Sequence, residues 1–419
     1  MGVLLLGADY YGTLAAARCY GKSGVPVTMA DDNPRARALF SRYVGEKLSH
    51  PSLSDPRALV EWLVAFGENH PGTLLYPPND HLAWLFAENR DRLSKVFVTY
   101  QPDEAAIITL LDKVRLHEAC AAVGIEVPET HALGEAGADA PVVGDLRWPV
   151  LLKPRTQIFM EGGVKGLIAL DRGALAGELA RYRSQAAWSR VLTDRHPEIV
   201  EPMIQEYLTV AETSIFSVSG FVTKEGAIVA RAAMKVLQRP RKVGIGLCFE
   251  GRPIEQPVLD KLVLLCKHVG YWGAFESEFI VDGDRRLLID FNPRFYSQMG
   301  FDVARGLRLP MLVMHAAAGD AAALSAEMDR ARAWKATGRE VYCHKTMLDL
   351  VLTLQGLSGQ MSRADVRHWR SWYADHKQSA TDAVRDPEDR KPALVDAAQW
   401  AQHFARHPRS FVRSFVLNR

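Results

Sequence analysis

The sequence predicts a mixed α/β and α+β protein with a parallel α/β domain first, antiparallel sheets in the middle and a mostly helical extension at the end. Strands and helices alternate along the first 108 residues, which is typical of a parallel sheet. Two apolar runs flank an Asp282-Gly283-Asp284 turn, which is typical of an antiparallel hairpin. After residue 315 the pattern becomes Ala-rich, charged and helical. We therefore expect domains at 1–108, 109–315 and 316–419.

Composition and charge limit the classes of protein to which this chain could belong. It has 419 residues, of which 48% are hydrophobic and 24% are charged, as in ordinary globular proteins. The formal net charge is +2, so no basic surface for nucleic acid is expected. The 5 cysteines lack C-x-x-C or zinc spacing, which predicts reduced thiols and a cytoplasmic location. No apolar run approaches the roughly 18 residues of a membrane span, and the start lacks a basic signal-peptide region.

The N-terminal pattern predicts a Rossmann-like β-α-β start. Residues 3–6 and 25–30 have strand patterns, and 13–22 have a helical one. The first loop, Gly7-Ala8-Asp9-Tyr10-Tyr11-Gly12, lacks the middle glycine of a dinucleotide fingerprint, which disfavours a nicotinamide enzyme. In the next unit Asp80 follows a strand, where it fits either a ligand-binding position or a helix N-cap.

The segment LLIDFNPR places polar side chains at every second position of an apolar run. Because a strand sends alternate side chains to opposite faces, Asp290, Asn292 and Arg294 are expected to share one face. Ile289 and Phe291 are expected on the other face. An acid, an amide and a guanidinium would then point at one place.

The facing strand of this hairpin supplies further acids. A turn centred on residue 284 puts Glu278 opposite Asp290 and Glu276 opposite Asn292, at about 5 Å, where like charges are destabilising. A divalent cation would offset that repulsion, and magnesium takes hard oxygen ligands of this kind. Arg294 supplies a fork suited to phosphate. A solvated hairpin, a structural ion pair of Arg294 and a glycosidase-type acid pair are the alternatives.

Lysines near glycines form a second polar group. Lys153 ends an apolar strand pattern, and Lys165 follows Glu161-Gly162-Gly163. Backbone N–H groups at glycines can converge on an anion, and a lysine is a point charge suited to phosphate. Surface placement of both lysines is the alternative. Lys235, in a later apolar run, is a candidate for the acceptor or phosphate side, whereas the basic run at 239–242 fits a solvated loop.

Together these segments resemble the ATP-grasp superfamily over roughly residues 1–315. In order they are Asp112-Lys113 at a helix start, PVLLKP around Lys153, GGVKG around Lys165, IQEYL at 204–208, Glu278, and IDFNPR at 289–294. None is diagnostic alone, but their order and spacing together are specific. The resemblance implies an ATP-grasp fold with a pre-ATP-grasp N-terminal domain. ATP would lie between two antiparallel-sheet subdomains, of which that at about 148–208 is the lid.

The same resemblance implies roles for individual residues. Lys153 and Lys165 would contact ATP phosphates, and Lys113 would be a further nucleotide-binding residue. Gln205, Glu206 and Leu208 would line the adenine and ribose. Glu278, Asp290 and Asn292 would hold magnesium or manganese. Arg294 would stabilise the transferred phosphoryl group, and Lys235 is the second catalytic candidate. Asp290 stands where many relatives carry Glu, and the glycine loop is lean, with only Gly162, Gly163 and Gly166.

The implied activity is that of an ATP-dependent carboxylate–amine ligase. ATP would convert a carboxylate into an acyl phosphate, and an amine would displace phosphate to form an amide. We expect a small zwitterionic or amine-bearing acceptor, bound near the tyrosines of the first loop, a free Asp80, and the segment Phe295, Tyr296, Ser297 and Gln298. An ATP-grasp carboxylase, a purine-pathway-type ligase and a non-catalytic nucleotide-binding regulator are the alternatives. Partners are expected to be small molecules, with a homodimer as one open oligomeric state.

Overall fold

The computed structural model describes residues 1–133, 147–161, 166–239 and 246–416. The strands in these ranges are β1 (Val3–Leu6), β2 (Val27–Ala30), β3 (Glu46–Leu48), β4 (Leu74–Leu75), β5 (Val98–Thr99), β6 (Thr130–Ala132), β7 (Val150–Lys153), β8 (Leu167–Ala169), β9 (Met203–Glu206), β10 (Ile215–Val222), β11 (Ile228–Gln238), β12 (Gly246–Arg252), β13 (Gly273–Asp282), β14 (Arg285–Asn292), β15 (Val341–Cys343) and β16 (Ala380–Asp382). The α-helices are α1 (Tyr11–Lys22), α2 (Pro56–Asn69), α3 (Asp80–Glu88), α4 (Arg90–Leu93), α5 (Glu104–Leu111), α6 (Lys113–Ala122), α7 (Arg172–Gln185), α8 (Arg190–Thr193), α9 (Gln256–Val269), α10 (Met299–Ala304), α11 (Leu309–Ala317), α12 (Ala321–Ala333), α13 (Lys345–Leu357), α14 (Arg363–His376), α15 (Lys391–Arg406) and α16 (Pro408–Phe411), followed by a π-helix at Val412–Val416.

The first sheet is parallel, with the strand order β3-β2-β1-β4-β5. Strand β1 is apolar throughout because both of its faces are covered: Leu4 and Leu6 belong to one core cluster, Val3 and Leu5 to another. The first turn of α1 packs tightly against a distant part of the chain. A Cβ added at Gly12 would lie 2.4 Å from the carbonyl oxygen of Tyr296. Only glycine therefore allows the start of this helix to approach the segment that follows β14.

The second sheet has seven strands in the described residues, in the order β14-β13-β10-β11-β12-β15-β16. Strands β10 to β14 pair antiparallel, and the two short strands β15 and β16 extend the sheet from the C-terminal part of the chain. The C-terminal part is thus mostly helical, as expected. Its two strands escaped the sequence prediction because runs of three residues carry little periodicity.

The β13–β14 hairpin has the predicted register at the acids, with Glu276 opposite Asn292 and Glu278 opposite Asp290. A bulge follows, because Phe279 pairs with Leu288 and leaves Ile289 unpaired. The expectation that Ile289 shares a face with Phe291 is therefore wrong. Ile289 packs against a small apolar cluster that contains Leu287, whereas Phe291 lies in the main core.

The third sheet is antiparallel, with the strand order β6-β9-β7-β8, and α7 packs against it. An ion pair joins this sheet to the start of α6. The guanidinium of Arg155, just after β7, donates to both carboxylate oxygens of Asp112 at 3.0 and 2.6 Å. Asp112 is also the N-cap of α6, since its side chain accepts a hydrogen bond from Val114 N. Over the described residues, no helix is both long and apolar enough to cross a membrane.

Candidate active site

A cavity of about 470 Å³ lies where the loop after β1, strand β11, the β13–β14 hairpin and the C-terminal helices meet. Its lining includes most of the acids and cations that the sequence analysis singled out. From the predicted set these are Lys235, Glu278, Asp290, Asn292 and Arg294, together with Tyr11, Asp80, Glu276, Tyr296, Ser297 and Gln298. We call this cavity the active cleft.

Two lysines pair with carboxylates of the active cleft, Lys235 from its lining and Lys113 from behind Asp290. Lys113 Nζ lies 2.8 Å from Asp290 Oδ1, and Lys235 Nζ lies 2.5 Å from Glu278 Oε1. Burial acts to lower the pKa of each lysine, but the partner carboxylate outweighs it and raises both pKa values. Burial likewise acts to raise the pKa of Asp290, yet Lys113, with Lys153 and Arg294, holds it below its ordinary value.

Glu276 is the most deeply buried acid of the cleft, at 2% exposure. Its carboxylate accepts hydrogen bonds from Asn292 Nδ2 at 2.6 Å and from Gln298 Nε2 at 2.9 Å. Burial, reinforced by the neighbouring charge of Glu278, raises the pKa of Glu276 to about 8. Glu276 therefore fixes the amide orientation of Asn292, whose oxygen is left to face cations.

Arg294 is held at three points. Its Nε donates to Asp80 Oδ1 at 2.7 Å, its Nη2 to Asn292 Oδ1 at 2.5 Å and its Nη1 to Phe295 O at 3.1 Å. Two expectations about Asp80 are thereby corrected. Asp80 is not a free acid that awaits an ammonium group, since it pairs with Arg294, and the N-cap of α3 is Asn79.

The acceptor segment after Arg294 also differs in part from the expectation. Phe295 is fully buried and packs against Tyr76 with ring centroids 4.7 Å apart, so it belongs to the core and not to a pocket wall. Tyr296 lines the cleft, but its hydroxyl donates to Asp302 at 2.5 Å. Ser297 and Gln298 do line the cleft.

The predicted nucleotide residues Gln205, Glu206 and Leu208 lie on β9 of the third sheet or just after it, and none of them is part of the cleft lining. Gln205 is buried, and its amide donates to Thr130 Oγ1 at 3.0 Å. Glu206 accepts from Glu129 N at 3.0 Å. Leu208 packs on the apolar cluster of Ile215, Ile280 and Leu287, which also contacts Ile289. This cluster lies on the same face of the central sheet as Glu278, because Ile280 is two residues further along β13.

Lys153 ends β7 and is half-buried beside the lysine–carboxylate pairs. Burial, together with the charge of Lys113, lowers the pKa of Lys153 to about 8, although Asp290 and Glu278 oppose that shift. A cation held in this way is stabilised by an anionic ligand. Lys165, Gly162 and Gly163, the other members of the predicted glycine loop, lie outside the described residues.

If Lys153 binds phosphate as the sequence analysis expects, Lys153→Ala should weaken ATP binding by about tenfold or more, because a charge-assisted contact of this kind contributes about 1.5–3 kcal/mol. Calorimetric titration with ATP and Mg²⁺ measures the effect. Lys267→Ala, at an exposed position on α9, is the matched control and should bind ATP as the wild type does. Equal affinity in all three proteins would remove Lys153 from the nucleotide site.

His117 is a buried residue of the site that the sequence analysis missed. It is 6% exposed, and neither ring nitrogen has a hydrogen-bond partner among the described residues. Burial, with the charges of Lys153 and Lys113, lowers its pKa from 6.5 to about 3. The only sequence signal was its position, one helical turn after Lys113, which puts both side chains on one face of α6.

The pKa of His117 predicts a loss of stability in acid. Below pH 6.5 the imidazole of His117 binds a proton in the unfolded chain, whereas in the folded chain it stays neutral down to about pH 3. The free energy of unfolding therefore decreases as the pH falls from 6.5 to about 3. Between pH 7.5 and 5, wild type should lose about 2 kcal/mol more unfolding free energy than His117→Met. Urea unfolding at each pH measures this, with the exposed His268→Met as control. Parallel profiles for all three proteins would contradict the shift.

The donor set of the cleft is compatible with a hard divalent cation. Glu278 and Asp290 offer carboxylates from directly opposite positions, and the Asn292 oxygen, shared with Arg294, is a neutral ligand. Within the described ranges, no group of three or more His, Cys, Asp and Glu side chains is arranged to hold a metal ion, so this set depends on the amide. Lys113 and Lys235 offset the negative charges of Asp290 and Glu278, and a bound cation would offset the same charges.

Comparison with known proteins identifies the fold. No protein-family model matches the chain, and no curated protein matches it significantly in sequence. Among solved structures, a biotin carboxylase complex from Campylobacter jejuni aligns with a TM-score of 0.59 at 16% identity, over 76% of this chain and 71% of that chain. An L-amino acid ligase from Bacillus licheniformis aligns with a TM-score of 0.58 at 12% identity, over 81% and 78%.

A third similar structure is N5-carboxyaminoimidazole synthetase from Staphylococcus aureus, described in complex with ADP. It aligns with a TM-score of 0.58 at 14% identity, over 76% of this chain and 77% of that chain. These enzymes are ATP-grasp enzymes, so the chain has the ATP-grasp fold and the resemblance seen in the sequence is confirmed at that level. At such identities the likeness carries the fold and leaves the reaction to the chemistry of the site.

The active cleft also contains residues from a part of the chain that the resemblance did not cover. Tyr342, His344, Met347 and Trp400 line it from the C-terminal extension, and Arg37 lines it from a 3-10 helix of the N-terminal domain. No local motif marks these positions, since they reach the cleft through the packing of elements that are distant in sequence, among them β15, α13 and α15. The extension therefore forms one wall of the site.

Proposed function

We propose that this protein is an ATP-dependent ligase that activates a carboxylate as an acyl phosphate and couples it to an amine. One observation carries the proposal: Lys235, the acids Glu278 and Asp290, and the held guanidinium of Arg294 line one cleft of an ATP-grasp fold, and Lys113 pairs with Asp290. The solved structures with this fold include enzymes described with ATP or ADP. ATP is therefore the proposed phosphoryl donor.

In the proposed reaction a carboxylate oxygen attacks the γ-phosphorus of ATP, and the bond to the bridging oxygen breaks to release ADP. The amine nitrogen then attacks the acyl carbon, the carbon–oxygen bond to phosphate breaks with its electron pair, and the nitrogen loses a proton. Lys113 and Lys153 would hold phosphate oxygens, and Arg294 would stabilise charge on the moving phosphoryl group. Leu208 and the apolar cluster beside it offer a surface for the base.

Glu278, Asp290 and Asn292 would hold Mg²⁺, or Mn²⁺, which offsets phosphate charge when bound. Lys113 pairs with Asp290, and Lys235 pairs with Glu278. If Lys113 turns to the ATP phosphates, Asp290 becomes available to the cation, so metal binding and nucleotide binding should depend on each other. Gln298 and Asn292 donate hydrogen bonds to the carboxyl group of Glu276. The carboxylates that remain available to a cation are therefore those of Glu278 and Asp290. The chain's contribution is positioning, which is worth about 7–11 kcal/mol in well-oriented reactions.

A carboxylase of small substrates is the second candidate, because biotin carboxylase and carboxyaminoimidazole synthetase align about as well as the amino acid ligase. The test is phosphate release from ATP and Mg²⁺ with paired arrays of carboxylates and amines, followed by mass spectrometry of the product. An amide product supports the ligase. Strict dependence on bicarbonate, or on a nucleotide precursor, would support the second candidate instead, and no phosphate release under any condition would contradict both.

The setting of the reaction is part of the same proposal. All 5 cysteines lie within the described residues and are free and buried, which is compatible with a reducing cytoplasm. We propose small-molecule partners and leave a homodimer as the oligomeric state to be measured by light scattering.

A further inference from the structure

A second cavity, of about 890 Å³, lies beside the active cleft between the N-terminal sheet and the C-terminal extension. One wall is the loop at 33–37, and the other is formed by α15 and the π-helix after α16. The volume lies within the range of about 300–1,000 Å³ that is typical of small-molecule sites. We call it the extension cavity.

The extension cavity adjoins the active cleft. Arg37, Met347 and Trp400 line both spaces. Arg37 is fixed between them, since its guanidinium lies 4.4 Å from the ring centroid of Tyr11 and its Nη1 lies 2.7 Å from Asp396 Oδ1. A molecule that extends out of the active cleft past these side chains would therefore enter the extension cavity.

The charge of the extension cavity is of one sign. Its described lining contains the cations Arg35, Arg37 and Arg406 and the imidazoles of His403 and His407, and it contains no carboxylate. The nearest acids are already engaged from behind the lining. Asp396 pairs with Arg37, and Asp9 accepts a hydrogen bond from Gln399 Nε2 at 2.8 Å. An anionic group is thus the complementary ligand.

The rest of the lining of the extension cavity is mostly apolar, and it includes buried polar atoms that lack a hydrogen-bond partner among the described residues. Met347, Trp400 and Phe415 line the cavity, and the last two rings pack edge to face at 5.4 Å. Trp400 Nε1 and Gln399 Oε1 are buried without a hydrogen-bond partner among the described residues. Buried donors and acceptors are normally paired, so these two atoms point to a partner that the described residues do not supply.

We propose that the extension cavity binds the distal anionic end of an elongated organic acid with an apolar body, whose reacting carboxylate lies in the active cleft. This inference rests on the proposed function and deepens it, because it names the substrate class. Met347 and Trp400 contact the body of the molecule at the passage, and Arg406 and His403 contact its distal anion. The C-terminal extension is then the element that selects the substrate.

The test compares ligands that differ only at the distal end. Suberate, octanoate and 8-aminooctanoate are titrated calorimetrically into the full chain at pH 7, without nucleotide. Suberate should bind about tenfold more tightly than octanoate, since one charge-assisted hydrogen bond contributes about that factor, and 8-aminooctanoate should bind most weakly. The double variant His403→Gln/Arg406→Gln should lose the preference for suberate. Arg370→Gln, an exposed position on α14, should keep it.

Each outcome decides the inference separately from the proposed function. Binding of 8-aminooctanoate as tight as that of suberate, absence of suberate binding, or an unchanged preference in the double variant would overturn the inference. ATP affinity and phosphate release are measured on the same samples. If suberate binds as expected but no carboxylate–amine pair gives ATP-dependent phosphate release, the extension cavity stands and the ligase proposal fails. If an amide forms without any suberate preference, the reverse holds.

Discussion

Asp290→Asn and Glu278→Gln are each expected to reduce ATP-dependent turnover by about 100-fold or more, which is typical of the loss of one electrostatic element from an active site. Each substitution keeps the shape of the side chain and removes one negative charge. The two acids lie directly opposite on β13 and β14, so either loss halves the carboxylates available to a divalent cation. Folding should persist, because the amide oxygen can still accept a hydrogen bond from Lys113 or Lys235.

Turnover is measured as ADP release at increasing Mg²⁺ and Mn²⁺, and folding by circular dichroism and thermal melting. Asp282→Asn, on the same hairpin but at its turn end, is the matched control and should keep wild-type turnover. A higher requirement for metal in the two cleft variants, absent from the control, would identify metal binding as the cause. Unaltered turnover in both cleft variants would remove Glu278 and Asp290 from the metal site.

The pairing of the acids matches the prediction, although the turn itself differs from the predicted one. The alternation of polar residues indicates which side chains share a face, and the Gly-containing turn indicates a hairpin without giving the number of turn residues. Asp282 pairs with Arg285, so the turn is one residue shorter than a turn centred on residue 284. The bulge at Ile289 inserts one residue between this turn and the acids, without any change in composition that would reveal it, and so restores the predicted pairing of Glu278 with Asp290.

The contacts of Asp80 show where sequence reasoning ends. A strand-end acid followed by a helix fits both a cap and a ligand position. Asp80 lies next to Arg294 because the β4–α3 loop meets the segment after β14, where Phe295 N donates to Pro77 O. The same limit applies to the extension cavity. Arg37, Met347 and Trp400 are far apart in sequence, and no spacing links them. The local sequence pattern thus predicted the site residues that lie on one hairpin. It did not predict residues such as Arg37, Met347 and Trp400, which elements distant in sequence bring together.

Arg294→Lys is expected to lower kcat by about 100- to 1,000-fold, since it replaces an oriented guanidinium with a flexible ammonium at the place where the proposed reaction develops phosphoryl charge. The guanidinium is oriented by three acceptors at once: Asp80, Asn292 and the backbone of Phe295. A lysine keeps the charge but offers a single flexible point and cannot satisfy this arrangement. ATP affinity should change by less than about threefold, because Lys113 and Lys153 remain. ADP release and calorimetric titration measure the two quantities.

Arg286→Lys separates this effect from a general cost of losing an arginine on the hairpin. Arg286 also lies on β14 and binds a carboxylate through several contacts, since its Nε lies 2.9 Å from Glu255 Oε2 and its Nη2 lies 2.9 Å from Glu255 Oε1. It lies at the turn end of the strand, outside the cleft lining, so its substitution should leave kcat unchanged. Wild-type kcat in Arg294→Lys, or an equal loss in both variants, would show that the oriented fork at residue 294 has no role in phosphoryl transfer. A loss confined to Arg294→Lys would show that orientation and not charge alone is what Asp80 and Asn292 provide.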